Sequence, residues 1–311
     1  MHTARFFAIT AFASLAAAMP LVFDRNSATA SEIRDLAAHD RTLIVPTASR
    51  AASEVEGLVA QGRDALKRGD LDAAMPALDA AIAIDPASAL AVHSRGIVRM
   101  LKRDYDGAIA DLDKAISIDP GNFEAYRVRG NVWFLKRDRD RAINDFNRAI
   151  DINPHDPVAY LLRGIYWVAQ NNRANALLDL DRAIVEDPRS VEAYLQRGLL
   201  YEYEKKFDLA FADYDAAIGV SPYNVRAYTR RAGLWLQRGP SEENLNRAIA
   251  DLQQAVRVNS SDQFAKGQLQ QMIAMKELLQ RTKSETKSEN GSDAKSDVRA
   301  NKRLGTKAEV E

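Results

Sequence analysis

Acid–base or metal chemistry in this chain would have to come from its histidines and carboxylates, because none of its 311 residues is a cysteine. That absence removes thiolate metal sites, thiol nucleophiles, disulfides and an acylated amino-terminal cysteine. The four histidines are His2, His39, His93 and His155, and no two stand at the short spacing that presents a pair of imidazoles to one metal ion. Carboxylates are plentiful, as in Asp111-Leu112-Asp113. They recur with the surrounding pattern, which is the behaviour of a solvated or ion-paired face. No phosphate-cradling glycine loop, nucleophile elbow or HExxH helix is present. The expectation is a protein with no catalytic residues, no metal and no cofactor.

Lysine plus arginine and aspartate plus glutamate stand at 43 each, so bulk charge gives no case for nucleic acid or an anionic membrane surface as partner. The two ends read differently from the rest. A short basic start ending at Arg5, an apolar run from Phe6 to Phe23 and the triplet Ala28-Thr29-Ala30 before Ser31 form a secretory signal, residues 1–30, with cleavage expected after Ala30. The mature chain would then be periplasmic or secreted, with no membrane span. The same run, about 18 residues long, could instead remain as an inner-membrane anchor. Residues 31–54 carry no clear assignment. From Thr282 to Glu311 almost no large apolar residue occurs, and composition predicts a disordered polar tail over 282–311, a tether or, less simply, an ionic arm.

Between these ends the sequence repeats. Glycine falls at 62, 96, 130, 164 and 198, and proline at 86, 120, 154, 188 and 222, both at a step of 34 residues. Alanine keeps that step twice, from Ala74 to Ala210 and from Ala81 to Ala217. These columns resemble the tetratricopeptide repeat family, whose helix-turn-helix unit has this length. The resemblance covers about Val55 to Ser260 and implies an all-α right-handed superhelical solenoid of antiparallel helix pairs. Six repeats are expected over residues 55–262, followed by a capping helix over 263–281 with apolar positions Phe264, Leu269, Met272, Ile273, Met275 and Leu278.

Each column has a physical reason. Glycine inside a helix costs about 1 kcal/mol against alanine, so its recurrence predicts a close backbone approach, with Ala74 and its equivalents suited to the other side. The aromatics Tyr126, Trp133, Tyr160, Trp167, Tyr194 and Tyr201, with Phe146, Leu180 and Tyr214 from the second helices, should form the core. Each proline ends a second helix, and Ser88, Asn122, Asp156, Ser190 and Asn224, two residues beyond, are N-cap types that should start the next. The first repeat departs from the pattern with Leu58, Ala65 and Pro76, and the sixth with Ala232, Ser260 and extra residues around Arg238-Gly239-Pro240-Ser241.

One further pair of columns stands out. Arg95, Arg129, Arg163, Arg197 and Arg231 precede the tight-packing position, and Asp111, Asp145, Asp179, Asp213 and Asp251 occupy the matching second helices. The first repeat lacks both, having Gln61 and Ala77. Joint presence and joint absence predict that each arginine pairs with an aspartate, in its own repeat or the next, either as a ladder that fixes the inter-repeat angle or as solvated pairs worth about 0–1 kcal/mol each.

The family resemblance implies that first helices line a concave groove whose non-core faces take ligands. Carried over by column, the groove residues are Arg63, His93, Ile97, Met100, Arg127, Asn131 and Phe134 in the first half. Leu161, Ile165, Val168, Leu195, Leu199, Glu202, Thr229 and Leu236 continue it. The lysine and asparagine set with which some family members clamp a terminal carboxylate is not recognisable. An apolar centre edged by Arg63, Arg127 and Asn131 suits an amphipathic helix or an extended apolar peptide. The expected function is therefore a protein–protein scaffold or adaptor of the bacterial cell envelope. A self-associating structural protein, with these residues packed on a twin chain, and a non-catalytic regulatory subunit of an envelope enzyme are the alternatives.

Overall fold

The computed structural model describes residues 47–305, and the described chain holds thirteen α-helices and no strand. The expected signal segment, residues 31–46, His2 and His39, and residues 306–311 lie outside the described residues. Two compact units divide at Pro188 and Arg189. The amino-terminal unit contains α1 (Thr47–Lys67), α2 (Leu71–Ile84), α3 (Ala89–Leu101), α4 (Tyr105–Ile118), α5 (Phe123–Leu135), α6 (Arg139–Ile152), α7 (Pro157–Ala169) and α8 (Arg173–Glu186). The carboxy-terminal unit contains α9 (Val191–Tyr203), α10 (Phe207–Val220), α11 (Val225–Gln237), α12 (Glu242–Val258) and α13 (Gln263–Gly305). Odd and even helices pack as consecutive pairs from α1–α2 to α11–α12, and within each unit neighbouring pairs pack on one another.

The stop and start signals act as the sequence predicts. Five second helices end on Asp85, Asp119, Asn153, Asp187 and Ser221, the residues that precede the prolines. The side chains of Ser88, Asn122, Asp156, Ser190 and Asn224 each accept a backbone N–H from the first turn of the next helix. Pro76 sits inside α2 without ending it. The turn within each pair follows a rule that the repeat columns did not reveal. Gly69, Arg103, Arg137, Asn171, Lys205 and Gly239 all have positive φ, so one left-handed residue closes every first helix. At Arg103 the N–H donates to the Met100 carbonyl at 3.0 Å, and the Asp104 N–H donates to that of Arg99 at 2.9 Å. Two glycines at the ends of that column were the available clue, since glycine adopts this conformation without a Cβ penalty.

The glycine column marks the closest approach inside each pair, but its neighbour is larger than expected. A Cβ on Gly62 would lie 2.6 Å from Leu78, and one on Gly130 or Gly198 would lie 2.9 or 2.7 Å from the rings of Phe146 and Tyr214. The alanine column supplies its backbone carbonyl, at 3.4 Å for Ala74 and Ala108, so the seat above each glycine holds a bulky side chain from the second helix. Phe146, Leu180 and Tyr214 are wholly buried there. Tyr126, Trp133, Tyr160, Trp167, Tyr194 and Tyr201 of the first helices are only half-buried, and Tyr126, Tyr160 and Tyr194 lie beneath the guanidinium groups of Arg129, Arg163 and Arg197.

The carboxy-terminal end differs from expectation. α13 caps the last pair through Leu269 and Met272, joined by Leu279, which pack with Leu245, Ala248 and Leu252 of α12. Phe264, Ile273, Met275 and Leu278 are instead exposed. The helix also runs on through residues 282–305, which composition assigned to a disordered tail. A lack of large apolar residues removes tertiary packing but does not by itself forbid a helical backbone, and this stretch has no proline. Glu242 at the start of α12 holds the helix near its middle, accepting from Gln280 at 3.1 Å and pairing with Lys283 at 3.0 Å.

Close seating over glycine predicts opposite effects at two glycines. Gly130→Val should lower stability by about 1–3 kcal/mol by displacing Phe146. Gly57→Ala in α1, with nothing within 4 Å of the added methyl, should raise it by about 0.5–1 kcal/mol. Urea unfolding of the two variants measures both.

Candidate docking surface on the first helices

Five arginine side chains set the geometry on which any surface of the repeats depends. In Arg95, Nε and one terminal nitrogen donate to the two oxygens of Asp111 at 2.9 and 2.7 Å, and the other terminal nitrogen reaches back to Asp79 in the preceding repeat at 2.8 Å. Arg129 does the same with Asp145 at 2.8 Å twice and with Asp113 at 2.6 Å. Arg163 joins Asp179 at 2.8 Å twice and Asn147 at 2.8 Å. In the carboxy-terminal unit Arg231 joins Asp251 at 2.9 and 2.5 Å and Asp215 at 2.5 Å, and Arg197 takes Asp213 at 3.0 and 2.6 Å. The own-repeat aspartates Asp111, Asp145, Asp179, Asp213 and Asp251 are buried, whereas Asp79, Asp113 and Asp215, the partners in the preceding repeat, are exposed. Hydrogen bonding to the Asp111 carboxylate raises the Arg95 pKa further above its ordinary range. Burial pushes the Asp145 carboxyl up despite the opposing pull of Arg129. Such a pair contributes fixed geometry more than net stability, because desolvation offsets much of the attraction.

In the amino-terminal unit the first helices also touch one another, α1 with α3, α3 with α5 and α5 with α7. This side contact decides which of the expected groove residues can meet a partner. His93, Ile97 and Met100 of α3, Arg127 and Asn131 of α5 and Leu161 and Ile165 of α7 are all buried, and so is Leu195 of α9 in the other unit. Little of the surface of these eight expected groove side chains is open. In the first unit Asn131 of α5 meets Met100 of α3, and Arg127 of α5 meets Asp156 at the start of α7, along the seam between adjacent first helices. Arg63, Phe134 and Val168 in the first unit, and Leu199, Glu202, Thr229 and Leu236 in the second, remain half-buried and reach the surface. Leu90, 43 % exposed and one turn before His93, was not among the expected residues although it lies on the same helix. Glu202 already accepts the Tyr214 hydroxyl at 2.7 Å.

The polar members of the seam in the first unit form a cluster. His93 is buried with no hydrogen-bond partner at Nε2, and Asn131 donates only to the Met100 sulfur, at 3.7 Å, leaving its Oδ1 unpaired. Arg127 Nε lies 3.1 Å from Asp156 Oδ2, but the two are out of hydrogen-bond alignment. Burial, with the nearby charges of Arg127 and Arg63, pushes the His93 pKa down to about 3. The imidazole is thus neutral at ordinary pH.

In the carboxy-terminal unit a shallow cavity of about 460 Å³ is lined by Phe211, Trp235, Arg238 and Arg247, among others. Its aromatic faces are covered by the chain's own cations, Arg247 over Trp235 and Arg238 over Phe211. Among the described residues no three His, Asp or Glu side chains are grouped so as to hold a metal ion, and no helix is long and apolar enough to cross a membrane.

A family model described as tetratricopeptide repeat matches residues 59–123, 103–157 and 161–225. No curated protein sequence matches the chain. Among solved structures, the Cut9–Hcn1 hetero-tetramer of the APC/C is similar with a TM-score of 0.63 at 16 % identity, over 72 % of this chain and 44 % of that one. This chain thus spans less than half of that protein. PilF of Pseudomonas aeruginosa is similar with a TM-score of 0.60 at 18 % identity, over 72 % of this chain and 99 % of that one. PilW, a type IV pilus biogenesis factor, is similar with a TM-score of 0.51 at 21 % identity, over 62 % and 92 %. These likenesses show the fold.

A histidine held neutral makes stability rise with pH, because between about pH 3 and 6.5 the unfolded chain binds a proton at His93 that the folded chain does not. The stability advantage of His93→Phe over the unsubstituted chain should therefore grow by about 2 kcal/mol from pH 7 to pH 5. Denaturant unfolding of both proteins at the two pH values measures it, and an unchanged difference would show that the ring is protonated inside the fold.

Proposed function

We propose, starting from the fact that the chain belongs to the tetratricopeptide repeat family, that it is an adaptor of the bacterial cell envelope that holds a peptide or an amphipathic helix against its first helices. The fold suggests a protein–protein interaction scaffold, and everything more specific is our reading. The observation that carries it is the set of half-buried apolar side chains left at the surface of the first helices. In the amino-terminal unit these are Phe134 and Val168, and in the carboxy-terminal unit Leu199 and Leu236. Apolar area held in place by a rigid stack can be covered by a partner's apolar face without ordering the host. With the arginines and aspartates spent on one another, the repeats hold the surface and perform no reaction on what it binds.

Export rests on the leader, the basic start, apolar run and Ala28-Thr29-Ala30 triplet ahead of Ser31. It places the working protein outside the cytoplasm, where the lack of cysteine makes folding independent of redox state. Self-association is the second reading, favoured by the exposed apolar side chains Phe264, Met275 and Leu278 on α13. A monodisperse monomer in light scattering would remove it.

A photoreactive residue placed in cells at Phe134 or Val168, compared with one at the exposed second-helix position Leu178, tests the first reading. The expected result is the same adduct from both first-helix positions and none from Leu178, with mass spectrometry finding Ser31 as the amino terminus of the adduct. Capture from Leu178 alone would contradict the assignment of the surface.

A further inference from the structure

Two columns of ion pairs cross from each repeat to the next in the amino-terminal unit. Between the first and second repeats they are Arg95 with Asp79 at 2.8 Å and Lys102 with Asp72 at 2.6 Å. Between the second and third they are Arg129 with Asp113 at 2.6 Å, and Lys136 with Asp106. Between the third and fourth repeats both columns lose a charge. Arg163 finds the neutral Asn147, at 2.8 Å, and Gln170 stands where Lys136 and Lys102 stand one and two repeats earlier, opposite Asp140.

What remains at that interface is of another kind. Tyr166 packs edge-on against Phe134 and Phe146, with ring centroids 6.0 and 6.5 Å apart. Apolar contact is non-directional and tolerates small sliding, whereas a guanidinium bonded to carboxylates on both sides does not. An ionic contact there, Arg127 with Asp156, joins α5 to the cap of α7 on the first-helix side. Toward the second helices the rung from Arg163 of α7 to Asn147 of α6 is neutral, with Asp151 acting on Arg163 without a direct ion pair.

We infer that the interface between the third and fourth repeats is the compliant joint of the amino-terminal unit, pivoting on its first-helix edge and opening between α6 and α8. In a stack where each repeat contacts only its neighbours, the interface with the weakest coupling takes up most of the bending. Phe134 and Val168 stand on the two sides of this joint, on α5 and α7, so its angle sets the spacing of the apolar side chains offered to a partner. The inference does not depend on what that partner is.

The chain has no cysteine, so pairs of introduced cysteines can carry nitroxide labels with no background. Ala110 with Asn144 reports on the second interface and Asn144 with Leu178 on the third, all three being exposed on second helices at equivalent positions. The distance distribution from dipolar broadening should be wider for Asn144 with Leu178. The double substitution Asn147→Asp and Gln170→Lys should narrow it to the width of the other pair. Conversely, Asp113→Asn with Lys136→Gln should widen the Ala110 with Asn144 distribution, moving the joint by one repeat. Equal widths in the parent chain, or widths unmoved by both double substitutions, would overturn the proposal.

Discussion

A guanidinium bonded along two edges cannot rotate without breaking hydrogen bonds, and this restriction is what turns separate helix pairs into a stack with fixed angles. Arg95 and Arg129 each hold an aspartate of their own repeat through two parallel bonds and an aspartate of the preceding repeat through a third. Burial of the own-repeat aspartates, Asp111 and Asp145, makes those pairs costly to form and more costly to leave half-formed, while the third bond reaches an exposed aspartate. The tyrosine one turn earlier, Tyr126 under Arg129 for example, gives the flat cation a face to rest on. Close packing over the glycines supplies the stability, and the arginines supply the direction.

Much of this was legible in the sequence because a repeat states each physical requirement several times over. Glycine and proline at a step of 34 residues gave the helix pairs and their ends, and the five caps follow from residue type alone. The arginine and aspartate columns could be paired because both are missing from the first repeat. Other features could not be read because they depend on a third dimension that columns do not carry. The partner of each glycine is a large side chain one helical turn beyond the alanine column, as Phe146 is to Ala142. The left-handed residue of the inner turn is hidden where Arg103, Arg137 and Lys205 occupy it, since only glycine or asparagine announces that conformation.

The surface was the least legible part. A helix position that faces away from its own partner can face either solvent or the next first helix, and sequence alone does not separate the two. Ile97, Leu161 and Ile165 are buried, while Phe134 and Val168, one turn further along, are half-buried. The same side-to-side contact explains the polar seam of the first unit. His93 and Asn131 are enclosed without full hydrogen bonding there, a local cost. At the carboxy-terminal end the last helix continues to Gly305, and a shortage of apolar side chains argues against packing there but says little about backbone helix.

The account stands on the arginine rungs acting as rigid couplings. A double-mutant cycle across a repeat boundary, at Arg129 and Asp113, with Arg129→Met, Asp113→Leu and both together followed by urea unfolding, measures that directly. The account predicts a coupling of about 0.5–1 kcal/mol, with the double variant less damaged than the two single losses added together. A coupling near zero would show that the two side chains are neighbours without being partners, and the fixed angles would need another cause.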